Sequence, residues 1–154
     1  MTNYEYLLEL LKSALRGQQA PELPEECSFE KVFALAKRHS AAGMAYYAAE
    51  TLNSPPTGEL AAEWRQIRDK ALVKDITQQT ELEAISEAFT AGGVRFLPLK
   101  GCIIKVLYPQ TDMRTMSDID TWRTPLRRGI SCLALAIAAS TMTTSTTMCI
   151  SSRR

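Results

Sequence analysis

The sequence has few of the residues that form thiolate and imidazole metal sites. It contains a single histidine, His39, and four cysteines that form no Cys-x-x-Cys pair. Structural zinc sites combine closely spaced cysteines and histidines, so this composition argues against a zinc site. The same cysteine usage fits reduced thiols, and we therefore expect a cytoplasmic protein.

Two further absences concern membranes and export. The longest apolar run, residues 130–139, is too short to span a bilayer. The chain does not open with a basic segment followed by an apolar stretch, as a secretory leader would. We therefore expect no membrane-spanning segment and no secretion.

Acidic residues stop at Asp120. All 17 Asp and Glu lie at or before that position. Residues 1–120 also contain 13 Lys and Arg, so their net charge is −4. Residues 121–154 carry five Arg and no acid, a net charge of +5. Such a sharp change marks a boundary in the chain. Nucleic-acid binding is not indicated, because the first segment is net acidic and the five arginines are too sparse for a basic track.

Helical periodicity dominates the first 91 residues. Apolar side chains recur at spacings of three and four, which predicts amphipathic helices packed on a common core. In the last of these helices the apolar spacing lapses between Ile76 and Leu82, where we expect a bend or an exposed turn of helix. The inner face of the first helix is predicted to carry Leu7, Leu8, Leu11 and Leu15. The predicted helices cover residues 4–16 with Asn3 as N-cap, a segment from the Ser28 cap to near His39, residues 41–52, and residues 57–91.

After residue 92 the pattern changes to short apolar runs separated by glycine, proline and polar turns. Val94–Leu99 predicts a short strand, and Cys102–Leu107 predicts a helix that begins at Gly101. Ser117–Trp122 predicts a second strand. Helices followed by a small sheet indicate an α+β fold.

Two carboxylates, Asp118 and Asp120, lie one residue apart in the predicted second strand. Residues two apart in a strand share a face, so these side chains would project the same way, roughly 7 Å apart. Carboxylates at that spacing suit Mg²⁺, which keeps water and substrate phosphate in its shell. The alternative is that the two acids end a strand on a solvated face.

The residues around Gly101 suit an anion. A glycine at a helix start lets a phosphate approach the backbone N–H groups and the positive end of the helix. Lys100 and Arg114 supply cations for contacts with phosphate oxygens, and Ser117 supplies a hydroxyl. Each also has a plainer explanation, Arg114 as a surface ion pair and Ser117 as support for its loop.

The string Leu97-Pro-Leu-Lys-Gly101, followed by Arg114-Thr-Met-Ser-Asp-Ile-Asp120, resembles a known motif. It is similar to the motif of uncharacterised bacterial nucleotidyltransferase-family proteins of the DNA polymerase β superfamily, the minimal nucleotidyltransferase-like group. The resemblance is specific over residues 94–120 and diffuse over residues 1–93. It implies a small mixed sheet with flanking helices.

The resemblance also implies a chemistry and a set of site residues. The chemistry is Mg²⁺-dependent transfer of a nucleotidyl group from an NTP to an acceptor that the sequence does not identify. Lys100 and Gly101 would face the triphosphate, with Arg114 and Ser117 as further substrate contacts. Asp118 and Asp120 would hold the metal and act as the catalytic residues.

The resemblance stops after Asp120. Thr121 and Arg123 fall on the inward face of the predicted strand, where a core strand needs aliphatic residues. We interpret residues from about 121 onward as the product of a truncation or reading-frame shift. The family resemblance implies a third carboxylate on a later strand, and no acid follows Asp120. We therefore expect weak or absent turnover.

The predicted organisation has three parts. Residues 1–91 form a helical region, residues 92–123 form a partial nucleotidyltransferase core, and residues 124–154 form an aberrant tail of low order. Two other functions stay open. One is a non-catalytic helical module that binds a partner protein, as an antitoxin does, and the other is a fragment without function.

Overall fold

The computed structural model describes residues 1–123 and 150–151. These residues form helices and a small sheet, which confirms the α+β prediction. The chain divides into two compact units. We call residues 1–74 with 105–115 the helical unit, and residues 75–104 with 116–154 the mixed unit. The elements are α1 (Asn3–Arg16), α2 (Phe29–Arg38), α3 (Ala42–Ala49), α4 (Gly58–Ala91), β1 (Phe96–Pro98), α5 (Gly101–Ile104), β2 (Thr121–Arg123) and β3 (Ile150–Ser151), with 3₁₀ turns at Lys105–Leu107 and Thr111–Met113.

The first helix begins at Asn3, one residue earlier than predicted. Thr2 is the N-cap of α1, and its side chain and that of Glu5 accept each other's backbone N–H in a capping box. Asn3, the predicted cap, lies inside the helix and instead accepts a hydrogen bond from the Ser28 amide. Ser28 caps α2 as predicted. The side-chain oxygen of Asn3 thus joins the starts of two helices.

Apolar side chains of four helices form the core of the helical unit. Trp64 of α4 is fully buried, and its indole N–H donates to the carbonyl of Ala42 at 2.7 Å. Its ring lies 5.2 Å from that of Phe33, centroid to centroid. The predicted inner face of α1 is partly wrong, because Leu8 and Leu15 are exposed. The buried face of α1 carries Tyr6, Leu7, Leu10, Ser13 and Ala14.

Helix α4 runs without interruption through the segment where its apolar spacing lapses. Ile76 is exposed there, as an exposed turn of helix requires. Asp75 and Gln78, however, are only 4% and 3% exposed. One polar residue of this segment, Gln78, and the residue just before the segment, Asp75, are therefore buried.

The mixed unit contains a three-stranded sheet in the order β1-β2-β3. Strand β1 is antiparallel to β2, with Leu97 opposite Trp122, and β2 is parallel to β3. Pro98 lies on an edge strand, where its missing N–H is tolerated. Ile150 and Ser151 add a third strand to the two that the sequence pattern indicated. A second apolar cluster in this unit consists of Ile85, Phe89, Val94 and Phe96.

Both predicted strands are shorter in the structure. Strand β1 begins at Phe96, two residues after the predicted start, and β2 begins at Thr121. The residues from Ser117 to Asp120 therefore precede the strand in which they were predicted. Thr121 is buried as the predicted register requires. The rest of the predicted tail, residues 124–149 and 152–154, lies outside the described residues.

No helix in the described part of the chain is both long enough and apolar enough to cross a membrane.

Candidate active site

The Lys100–Gly101 turn is fixed by backbone hydrogen bonds. The Leu99 amide donates to the carbonyl of Asp120 at 2.9 Å, and the Ile104 amide donates to the carbonyl of Lys100 at 2.9 Å. Lys100 has a φ of +46°, in the left-handed region that non-glycine residues seldom occupy. Such a conformation costs on the order of 1 kcal/mol in an L-residue. The turn therefore carries local strain, which its hydrogen bonds offset.

Gly101 is required by a close neighbour. A Cβ atom at this position would lie 2.3 Å from the sulfur of Met116, far inside van der Waals contact. Its φ lies outside the left-handed region, so backbone conformation does not demand the glycine. The predicted reason for a glycine was the approach of a phosphate. That role stays a prediction, and the contact with Met116 is a separate reason for this residue.

The helix that follows Gly101 is shorter than predicted. It is a single turn, α5, continued by a 3₁₀ turn, where the pattern predicted one helix over Cys102–Leu107. The amides of Cys102 and Ile103 donate to the carbonyls of Leu99 and Lys100. Among the described residues the amides of Lys100 and Gly101 have no such backbone acceptor. These two amides are the N–H groups that an anion would find at this turn.

The segment that carries the two aspartates alternates in burial. Ile119 and Thr121 are each 2% exposed, whereas Asp118 and Asp120 are partly exposed. This alternation is the strand-like pattern from which a shared direction of the carboxylates was predicted, although the segment precedes β2. The hydroxyl of Ser117 donates to Oδ1 of Asp118 at 2.9 Å.

An ion pair joins the two halves of the motif. Nζ of Lys100 lies 3.1 Å from Oδ2 of Asp120, with 76% of the lysine side chain exposed. Exposed pairs of this kind contribute about 0–1 kcal/mol, since water and salt screen them. The lysine is therefore held near the carboxylate only weakly and is free to change partner.

The predicted site residues fall in two groups. Lys100, Gly101, Ser117, Asp118 and Asp120 all lie in the mixed unit, and the contacts above bring them together. The sixth, Arg114, lies in the helical unit. Its Nε atom is buried and has no hydrogen-bond partner in the described part of the chain. Its role as a substrate contact stays a prediction from the sequence.

The acids available for a metal are few. Across residues 1–123 and 150–151 no three or more His, Cys, Asp or Glu side chains cluster closely enough to hold an ion. Two partly exposed carboxylates with water and phosphate oxygens suit a hard divalent cation such as Mg²⁺. The donor set at Asp118 and Asp120 therefore fits magnesium bound together with a nucleotide.

Asp112 has a structural role in the helical unit. It is buried, and both of its carboxylate oxygens accept from the hydroxyl of Tyr47, at 3.0 and 2.8 Å. Burial, together with the hydrogen bond to Asp112, raises the pKa of Tyr47 to about 12. Asp112 is thus hydrogen-bonded to Tyr47 within the helical unit.

Sequence reasoning gave no role to Met116, although it lies in the motif, and it missed Gln78. Met116 packs on Gly101, and its carbonyl accepts from Nε2 of Gln78 at 3.2 Å. The sequence did contain a signal for Gln78, because it is a polar residue in the segment where the apolar spacing of the amphipathic helix lapses. It was interpreted as exposed because the sequence alone does not show what a helix faces.

Comparison with known proteins bears on the family. A family model described as "Uncharacterised nucleotidyltransferase" matches residues 25–129, more than half of the chain. The match includes every predicted site residue and continues past Asp120, where the resemblance was expected to stop. The truncation or reading-frame shift from about residue 121 onward stays a prediction. No curated protein matches the chain, and no solved structure matches it. With the Lys-Gly turn set against the Asp-x-Asp segment, this match places the chain in the family of uncharacterised nucleotidyltransferases, whose general role is nucleotidyl transfer.

Proposed function

We propose that this chain binds a Mg²⁺–NTP at the Lys100 turn and the Asp118–Asp120 segment, and that its chemistry is transfer of the nucleotidyl group to an acceptor. The observation that carries the proposal is the pairing of these two segments. The Leu99 amide binds the carbonyl of Asp120, and Lys100 pairs with the Asp120 carboxylate. In the proposed site, a cation, two amides and two carboxylates of the mixed unit together meet the metal-bound triphosphate.

Each residue has a proposed role that follows from its chemistry. Asp118 and Asp120 supply carboxylate oxygens to the metal. Lys100 exchanges its weak carboxylate contact for a phosphate oxygen, and the amides of Lys100 and Gly101 donate to the phosphates. Ser117 orients the Asp118 carboxylate through its hydrogen bond. For Arg114, which belongs to the helical unit, the substrate contact stays a prediction from the sequence.

Magnesium, when bound, would neutralise phosphate charge and orient the triphosphate. The chain's own residues then determine which steps are supported. An acceptor oxygen must lose its proton as it bonds to the α-phosphorus and pyrophosphate leaves. The family resemblance assigns activation of that oxygen to a third carboxylate, and no acid follows Asp120. We therefore propose NTP binding with weak or absent turnover.

Calorimetry with Mg²⁺ and each of the four NTPs tests the binding step. We expect saturable binding by the wild type and a loss of at least tenfold in affinity in Asp118→Asn and Asp120→Asn, because each removes a charge-assisted ligand. Glu87→Gln, an exposed acid on α4, is the matched control and should bind as the wild type does. Equal affinity in all four proteins would refute the site.

Transfer of label from an NTP to candidate acceptors tests the turnover step. Robust transfer that is abolished in Asp118→Asn would refute the proposed impairment and leave the site intact.

A cytoplasmic location and the alternative of a partner-binding helical module stay predictions. Exposed apolar residues on α4, Val73 and Ile76 among them, are the observation that favours the module.

A further inference from the structure

A buried glutamine on α4 faces the candidate site from the side away from solvent. Gln78 is 3% exposed in a segment whose neighbours on the helix, such as Ile76, are exposed. A buried side-chain amide is costly unless it is hydrogen-bonded. Its Nε2 donates to the backbone carbonyl of Met116 at 3.2 Å. The polar lapse of α4 therefore places a donor against the segment that leads to the two aspartates.

Met116 connects this contact to the Lys-Gly turn. Its sulfur occupies the space beside Gly101 where any larger residue would place its Cβ. Two residues later the chain reaches Asp118, and the Ser117 hydroxyl between them binds that carboxylate. A shift of the Met116 backbone would therefore move both the packing on Gly101 and the start of the aspartate segment.

The same two segments are joined a second time at Asp120. Its carbonyl accepts from the Leu99 amide, and its carboxylate pairs with Lys100. The turn and the aspartate segment are thus held together at Met116 and at Asp120. The bond from Gln78 attaches this pair of segments to the part of α4 that lies in the same compact unit, residues 75–91.

We propose that Gln78 is a positioning residue for the nucleotide site. It holds the carbonyl of Met116, and through Met116 it sets the spacing between the Lys100–Gly101 turn and the Asp118–Asp120 carboxylates. Gln78 acts through the backbone and touches no ligand. Its effect on NTP binding rests on the proposed function, whereas its effect on the segment does not.

Gln78→Leu is the first variant, because leucine fills the space of the glutamine side chain with apolar atoms and lacks the hydrogen-bond donor. Gln78→Asn is the second, because its shorter amide stays polar and does not reach the Met116 carbonyl in the same geometry. Gln79→Leu is the matched control. Gln79 is the adjacent glutamine, is exposed, and bonds to Asp75 on its own helix.

Hydrogen–deuterium exchange of the Leu99 amide directly measures how firmly the aspartate segment is held. This amide is protected by the carbonyl of Asp120, so loosening of the aspartate segment exposes it to solvent. We expect about fivefold faster exchange in both Gln78 variants, the effect of one neutral hydrogen bond. The Val94 amide, bonded to the carbonyl of Phe89, should exchange at the wild-type rate and so exclude general destabilisation.

Calorimetric titration with Mg²⁺ and the tightest-binding NTP reads the site. We expect the Gln78 variants to bind about fivefold more weakly and Gln79→Leu to bind as the wild type does. If Gln78→Leu fails to fold, Gln78→Asn carries both measurements.

The two measurements separate the possible failures. Unchanged exchange at Leu99 in the folded Gln78 variants overturns the proposal, and so does unchanged affinity where the wild type binds. If the wild type binds no NTP, the proposed function falls. Exchange at Leu99 then decides by itself whether Gln78 holds the segment.

Discussion

The contacts inside the helical unit differ in kind from the contacts inside the mixed unit. The helical unit buries Trp64, Tyr6 and Leu10 completely and begins its first two helices with side-chain caps. In the mixed unit the apolar cluster has four members, and the register partners Leu97 and Trp122 are 52% and 45% exposed. Burying a large apolar side chain contributes about 1.5–3 kcal/mol. Among the residues that the structure describes, apolar burial therefore contributes more to the first unit than to the second.

The mixed unit relies more on individual polar contacts and on close packing at single points. Gln78 holds a carbonyl, Lys100 pairs with Asp120, and Gly101 admits Met116. Such contacts contribute little free energy each but fix geometry closely. In the described part of the chain, apolar burial is thus concentrated in the helical unit, and the proposed site lies in the mixed unit. Three experiments, from the largest expected effect to the smallest, test this difference.

Trp64→Ala should have the largest effect. Removal of a fully buried tryptophan leaves a cavity and removes the hydrogen bond to the Ala42 carbonyl, at a cost of about 3–5 kcal/mol in the free energy of unfolding. Denaturant unfolding followed by circular dichroism measures the loss. Trp122→Ala, the same substitution at an exposed site of the mixed unit, should cost less than about 1 kcal/mol. Equal losses would show that the two units do not differ as described.

Gly101→Ala should have an intermediate effect confined to the mixed unit. The added methyl group meets the Met116 sulfur, and overpacking of this kind costs about 1–3 kcal/mol. The double variant Gly101→Ala with Met116→Ala should recover most of the loss, since it removes the clashing side chain. Gly92→Ala is the control, because a Cβ there meets only ordinary contacts at 3.4 Å or more. A loss that the second substitution does not reduce would contradict the role of Met116.

The smallest effect concerns pH and the helical unit. Burial raises the pKa of Tyr6 and of Tyr47 from 10.0 to about 12, with Asp112 adding to the shift at Tyr47. Because both folded values exceed the unfolded value, this stabilisation is complete below pH 10 and is lost as the pH rises towards 12. In an absorbance titration of the folded protein, Tyr47→Phe should remove one group from the late phase. A single phase near pH 10 would contradict the burial of both phenols.

The helices were predictable because they depend on local signals. The three- and four-residue spacing and the Ser28 cap lie within a few residues of one another, so the sequence contains the information that each helix needs. The same holds for the Lys-Gly turn and the Asp-x-Asp pair, which are contiguous strings. The errors at Asn3, Leu8 and Leu15 are shifts of one or two residues within a correctly predicted helix.

Features that depend on distant residues were not predictable in the same way. Strand β2 begins at Thr121 because it pairs with β1 and with β3, and the partner in β3 is about thirty residues away. Gln78 was interpreted as exposed because the residue that satisfies its amide, Met116, is 38 positions away. Polarity in a helix predicts exposure only where no distant acceptor is available.

The left-handed backbone of Lys100 has a consequence for engineering this protein. Glycine occupies that conformation without steric cost, so selection for folding alone would favour Lys100→Gly. A thermostabilisation screen that selects this change would gain a more relaxed turn and discard the ammonium group beside Asp120. Heat resistance and nucleotide affinity should therefore be scored separately at this codon, because the two selections favour opposite residues.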